Sequence, residues 1–145
     1  MSTLSPRLAA IVEALPLEPG MRVLEIGGGP GAAGKAVARR IGDGYILMID
    51  HSAKSIAQVQ KNAATEINAG LMGVRQTAAE DFELGVDEEP FDLAFAVRVG
   101  ALDGRHPEAG KIALQRIADA LTPRGRLLID GGNPLRDLSL PPRRR

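Results

Sequence analysis

Apolar positions along the chain change period several times. Leu4, Leu8, Ile11, Val12 and Leu15 recur at helical spacing. They predict a helix that starts at Ser5-Pro6 and is closed by Pro16 and Pro19-Gly20. Continuous apolar runs follow. "RVLEI" (Arg22 to Ile26), "YILMID" (Tyr45 to Asp50), "FDLAFAV" (Phe91 to Val97) and "GRLLID" (Gly125 to Asp130) read as buried strands, with "GVRQT" (Gly73 to Thr77) a weaker one. Between them "AAGKAVARRI" (Ala32 to Ile41) predicts one helix. Ser52 is placed to cap a second, carrying Ile56, Val59, Ala63 and Ile67. Pro107 opens a third, carrying Ile112, Leu114, Ile117 and Leu121. Strands that alternate with helices and are apolar on both faces imply a doubly wound α/β fold, a mostly parallel sheet of about five strands with helices on each side.

Composition narrows the partners more than the fold. A chain of 145 residues suits one domain with a real core. The formal net charge is zero, so a broad electrostatic affinity for nucleic acid is not expected. Without cysteine there is no disulfide framework and no thiolate metal site or nucleophile, and two histidines leave little for zinc, so no metal is expected. The first residues lack the order of a signal peptide, and no apolar run approaches a membrane span. These readings point to a cytoplasmic protein. Residues 131–145 are rich in proline and end in Arg143-Arg144-Arg145, which reads as a mobile, solvated tail beside a domain of residues 1–130.

The chemistry concentrates in "EIGGGPGAAGKA", Glu25 to Ala36, which admits three ligands. Counted from Gly29 it is G-x-x-x-x-G-K, close to a phosphate-binding loop. Ala36 stands where that loop needs a magnesium-binding hydroxyl, and Pro30 removes a backbone donor from the cradle. Lys35 then reads as an ordinary helix residue. Counted from Gly27 or Gly29 the stretch fits the dinucleotide fingerprint, with Asp50 about 20 residues on, where a ribose-binding acid belongs. Glu25 opposes that reading, because a carboxylate beside the turn repels a pyrophosphate and suits a cationic ligand. Counted from Glu25 it is E-x-G-x-G-x-G.

With Glu25 and Asp50 together, the chain resembles the class I S-adenosylmethionine-dependent methyltransferases, whose sheet is Rossmann-like. "VLEIGGGPG" (Val23 to Gly31) matches their first motif. "MIDHS" carries the acid that ends their second strand, Phe91-Asp92 begins the fourth, and "LTPRG" (Leu121 to Gly125) precedes the fifth. The likeness runs from about Leu15 to Asp130. It implies S-adenosylmethionine as cofactor and methyl transfer as activity, with a small molecule as the default acceptor. Gly27, Gly28, Gly29 and Gly31 would let the backbone approach the cofactor's amino-acid end, and Glu25 would attract its ammonium. Asp50 would accept bonds from both ribose hydroxyls. His51, Ala79, Glu80 and Val97 would complete the adenosine side. A module that binds the cofactor and needs a partner chain for activity is the competing reading; a dinucleotide-binding domain is a more distant one.

The likeness also frays. "TAAED" places Ala78 where the family often has an acid for the adenine amino group. "VRVGALDGRHP" (Val97 to Pro107) replaces the Asn/Asp-Pro-Pro-Tyr of enzymes that methylate nucleobases or glutamine, which argues against those acceptors. His106 and Asp103 are the candidate bases, needed only when the acceptor arrives protonated. Arg98 can hold an acidic substrate or pair with a loop carboxylate. The family's sheet continues beyond the fifth strand with an antiparallel hairpin, which the 15 residues after Asp130 are too few to complete. The fifth strand should then be a bare edge. Either Leu135, Leu138 and Leu140 fold back over it, or two copies pair there, and the prolines of the tail favour the homodimer.

Overall fold

The computed structural model describes residues 4–144. Arg145 and the first three residues, part of the signal-peptide reading, lie outside them. Helix α1 (Pro6–Ala14) starts as expected: the Ser5 side chain accepts from the Leu8 N–H and Pro6 occupies the first turn. Strand β1 (Arg22–Ile26) leads into α2 (Ala32–Ala38), followed by β2 (Tyr45–Asp50). Helix α2 stops before Ile41, whose side chain turns inward and is fully buried.

The single helix expected after Ser52 is two, α3 (Ala53–Asn62) and α4 (Ala64–Asn68), broken at Ala63 where the backbone leaves helical angles. Strand β3 (Met72–Gln76), a short 3₁₀ turn (Ala79–Asp81) and β4 (Phe91–Ala96) follow. Helix α5 (Pro107–Ala120) presents Gly110, Ala113, Ile117 and Ala120 to the core, and Ile112, expected on the apolar face, is 52% exposed. Leu121 belongs to β5 (Leu121–Asp130) rather than to that helix.

The sheet order is β3-β2-β1-β4-β5-β6, parallel throughout except for the last pair. Leu24, Ile26, Leu47 and Ile49 face α5 and the Phe82–Phe91 loop. Val23, Ile46, Met48 and Phe95 face α1, α2 and α3. A parallel strand covered on both sides must be apolar at consecutive positions, which is why the strand runs do not alternate. No helix among the described residues is long and apolar enough to cross a membrane.

One expectation is corrected at the edge of the sheet. Leu135–Leu138 form β6, hydrogen-bonded antiparallel to β5 with Leu127 opposite Leu138 and Asp130 opposite Leu135. The five-strand sheet with a bare β5 edge is therefore a six-strand sheet with that edge occupied. The reversal is tight: Gly131 has φ +104, and a Cβ on Gly132 would collide with the Leu135 carbonyl. Pro134, Pro141 and Pro142 all fall outside the strand, so they cost it no ladder bonds.

From Leu135 to Arg144 the segment makes repeated contacts with the domain. Leu138 and Leu140 pack on one core and Leu135 on the other. Arg126 meets Asp137 through two 2.9 Å bonds, Arg143 donates to the Leu121 carbonyl at 2.8 Å, and Arg144 pairs with Asp119 at 2.9 Å. With β6 on β5, no open β5 edge is left for a second copy to pair with. The new edge, β6, is four residues long and carries exposed Arg136 and Asp137, features that discourage strand addition.

Candidate functional site

The carboxyl ends of β1, β2 and β4 open on one side of the sheet, where ligands of open α/β folds sit. The turn leaving β1 is tied down at its start, the Gly27 N–H donating to the Ile49 carbonyl at 2.7 Å. Gly27, Gly29 and Gly31 take φ of +73, +55 and +92, values that a side chain resists. Gly28 is required by closeness instead: a Cβ there would collide with Met48 Cγ and lie 3.0 Å from Glu25 Cδ.

Glu25 therefore sits beneath the turn, on the α2 side of β1. It is 4% exposed, and its Oε1 has no hydrogen-bond partner. Its surroundings explain why: a Cβ on Gly34 would fall 2.8 Å from Glu25 Oε1 and 2.9 Å from the Met72 methyl. Burial among these groups, and secondarily the charge of Asp50, pushes the Glu25 carboxyl up to about 8. A buried polar atom left unpaired is costly, and here it lies at the strand end that meets the cleft.

That cleft has a volume of about 520 Å³. One half is formed by Gly27, Asp50, His51, Thr77, Ala78, Ala79 and Glu80 over Ile26 and Ile49; the other by Val99, Gly100, Ala101, Arg105, His106 and Ala109. Asp50 is held in position because its Oδ1 accepts the Ser52 N–H at 2.9 Å. The His51 ring stands 3.7 Å away and is almost wholly exposed. Of the anticipated residues, the structure brings together Gly27, Asp50, His51, Ala79, Glu80 and His106. Glu25, Gly28, Gly29 and Gly31 belong to the layer beneath and beside the turn, and Val97 lies just past β4 without lining the cleft.

Asp103 is also outside the wall. It is paired with Arg105, whose Nε is 2.8 Å from Oδ2 and 3.0 Å from Oδ1, and that hydrogen-bonded guanidinium holds the Asp103 carboxyl below the usual range. A carboxylate so held is a poor proton acceptor. Arg105 belongs to no motif in the sequence, and its place beside His106 is the signal that marks it. Arg98, just beyond β4, has a left-handed backbone (φ 58), and its N–H donates to Asp130 Oδ1 at 3.0 Å. Asp130 also takes Arg7 at 2.7 Å, and no loop carboxylate pairs with the Arg98 side chain among the described residues.

Residues 23–125 match the family model described as "Methyltransferase domain". The chain belongs to this methyltransferase family. It is 31% identical over 130 residues to the protein-L-isoaspartate O-methyltransferase 1 of Arabidopsis thaliana, covering 86% of this chain and 51% of that protein. It is 37% identical over 128 residues to the protein-L-isoaspartate O-methyltransferase of Methylorubrum extorquens, covering 88% and 49%. The chain thus spans about half the length of the curated relatives it matches. A solved S-adenosylmethionine-dependent methyltransferase from Thiobacillus denitrificans, in complex with S-adenosyl-L-homocysteine, superposes with a TM-score of 0.66 at 28% identity, covering 86% of this chain and 48% of that one. The fold is that of the class I enzymes.

The residues present fit the family's cofactor, S-adenosylmethionine. A buried carboxylate without a partner suits an ammonium, the Gly28 approach keeps the turn close above it, and Asp50 lines the cleft with Oδ2 uncommitted among the described residues. The same set disfavours a pyrophosphate, which would meet two lining acids, Asp50 and Glu80, above the buried Glu25, and no lysine or arginine in that half of the cleft.

Proposed function

We propose that this chain binds S-adenosylmethionine in the half of the cleft around Asp50 and transfers its methyl group to an acceptor placed in the half around Val99 to Ala109. The observation that carries the reading is the unpartnered, buried Glu25 beneath a glycine turn whose neighbouring strand ends in Asp50. When bound, the cofactor supplies a methyl group already activated on a sulfonium. The protein's part is placement. Glu25 and the turn at 27–31 hold the amino-acid end, Asp50 takes the ribose hydroxyls, and His51, Ala79 and Glu80 border the base. Aligning acceptor and methyl group and excluding water from between them provides the acceleration. A small-molecule acceptor remains our reading. The two curated relatives act, by name, on L-isoaspartate in proteins, so a group displayed on a peptide is the alternative.

Calorimetric titration with S-adenosylmethionine, S-adenosylhomocysteine, ATP and NAD tests the cofactor. The first two should bind and the others not. At a hundredfold excess over Kd the bound form gains about 2.7 kcal/mol, visible as a shift of melting temperature. Stabilisation by magnesium-ATP alone would overturn the assignment. Asp50→Ala is expected to lose about 1.5–3 kcal/mol of cofactor binding, the range for a hydrogen bond to a charged group, and Glu80→Ala measurably less. Parent-like affinity in Asp50→Ala would remove Asp50 from the site.

A further inference from the structure

We propose that Arg105 and His106, converging over Gly100, form the seat for a carboxylate of the acceptor, so that the product is a methyl ester. The inference rests on the methyl-transfer reading above and names its substrate class.

The seat is built rather than incidental. Arg105 and His106 are the polar side chains in a half of the cleft otherwise made by Val99, Ala101 and Ala109. A Cβ on Gly100 would stand 2.9 Å from His106 Cδ2 and 3.3 Å from Arg105 Nη2, so the absence of a side chain there is what lets the two converge. Asp103 fixes the guanidinium by its Nε, and the Asp103 carboxylate also accepts the Arg105 N–H at 3.1 Å. Nη2 has only a 3.5 Å contact to the Arg98 carbonyl, and Nη1 has no partner among the described residues. The two terminal nitrogens remain to meet a planar anion, the geometry at which arginine excels over lysine.

Charge is divided to match. Asp50 and Glu80 line the half that takes the cationic cofactor, and they repel an acid placed there. Arg105 is at the opposite wall, with the exposed Arg98 beside it. A carboxylate acceptor asks no base of the site. An amine or alcohol must lose a proton to react; Asp103, tied to Arg105 and outside the wall, is not placed to take it, and His106, which lines the cleft, is committed to the seat. A carboxylate arrives already ionised. One of its oxygens uses a lone pair to form the new O–CH₃ bond as the CH₃–S bond of the sulfonium donor breaks. The bond pair stays on sulfur and neutralises it, and no proton moves.

The test is nitrogen NMR of the full chain loaded with S-adenosylhomocysteine, following the Arg105 Nε and His106 ring signals. Sodium succinate and, separately, succinamide are added at matched ionic strength. Succinate is expected to give saturable shifts at both residues and succinamide none. Arg105→Gln should weaken succinate by about tenfold, Arg105→Lys by less, while calorimetry finds S-adenosylhomocysteine affinity within about twofold of the parent. Gly100→Ala, which displaces both side chains, should reproduce the loss. If S-adenosylhomocysteine fails to bind, the methyl-transfer reading and the seat fall together. If it binds but succinate and succinamide act alike, or Arg105→Gln leaves the succinate response intact, the seat alone is overturned.

Discussion

Glu25→Gln is expected to raise the melting temperature of the cofactor-free protein at pH 9 and to flatten its pH dependence. In the fold the carboxyl titrates near 8, against 4.5 in the unfolded chain, because burial and then Asp50 disfavour its charge. The folded state therefore binds more protons between those values. The stability associated with neutral Glu25 is complete below 4.5 and is lost as pH rises through 8. At about 1.4 kcal/mol per unit, the loss is on the order of 5 kcal/mol.

Glutamine removes this dependence and adds an amide with unmet hydrogen bonds, a cost of about 1–3 kcal/mol. The net gain at pH 9 is then roughly 2–4 kcal/mol, several degrees, reversing to a net loss near pH 5. Other carboxyls do not mask the trend: Glu88, Asp103, Asp119 and Asp137 are held below their ordinary values by hydrogen bonds that include their arginine partners, so they are already ionised in this window. Thermal scans of both proteins from pH 5 to 9 decide it. Parallel curves would mean that Glu25 is charged in the fold and has a partner. The same substitution should weaken S-adenosylmethionine binding, since the ammonium loses its counter-charge.

Deleting residues 131–145 is expected to destabilise the domain and make it self-associate. Strand β6 covers the backbone of β5 from Leu127 to Asp130, and Leu135, Leu138 and Leu140 lie half-buried against the two cores. Losing about half the burial of three leucines costs roughly 2–4 kcal/mol. The exposed Arg126–Asp137 and Arg144–Asp119 pairs add little, as solvated ion pairs do. The freed edge would then offer unpaired N–H and C=O groups beside the apolar Leu127, Leu128 and Ile129. Urea denaturation and light scattering on a chromatography column measure the two effects. A truncated chain with the parent's midpoint and the parent's mass would show that β6 contributes nothing to the sheet.

Much of this was legible along the chain because it is written in short stretches. The strands of the parallel sheet carry their own apolar runs, and the turn from Gly27 to Gly31 needs glycine for backbone reasons that a motif records. Asp50 follows its strand directly, so its position at the cleft could be inferred from order alone. Strand β6 was less legible. "LRDL" has two charges in four residues and sits among prolines, and nothing local distinguishes it from a solvated tail. The resemblance left the β5 edge bare and offered two covers, a fold-back of Leu135, Leu138 and Leu140 or a second copy; only the paired strand in the structure shows that the fold-back fills it. The helix after Ser52 shows the same limit on a smaller scale, since its break at Ala63 leaves the apolar spacing unchanged.

The amino-acid sequence by itself determined the fold class, the family and the glycine turn that ends β1 beside the cleft, because local apolar period and backbone freedom at glycine need no distant partner to express themselves. The wall of the cleft after β4 was decided by tertiary structure. Arg105 acquires a direction only from Asp103 and the space above Gly100, and the Glu25 carboxyl is pushed up by burial among Met48, Met72 and Gly34 and then by the charge of Asp50. Charge state and side-chain aim depend on what surrounds a group in space, and chain order does not carry that information.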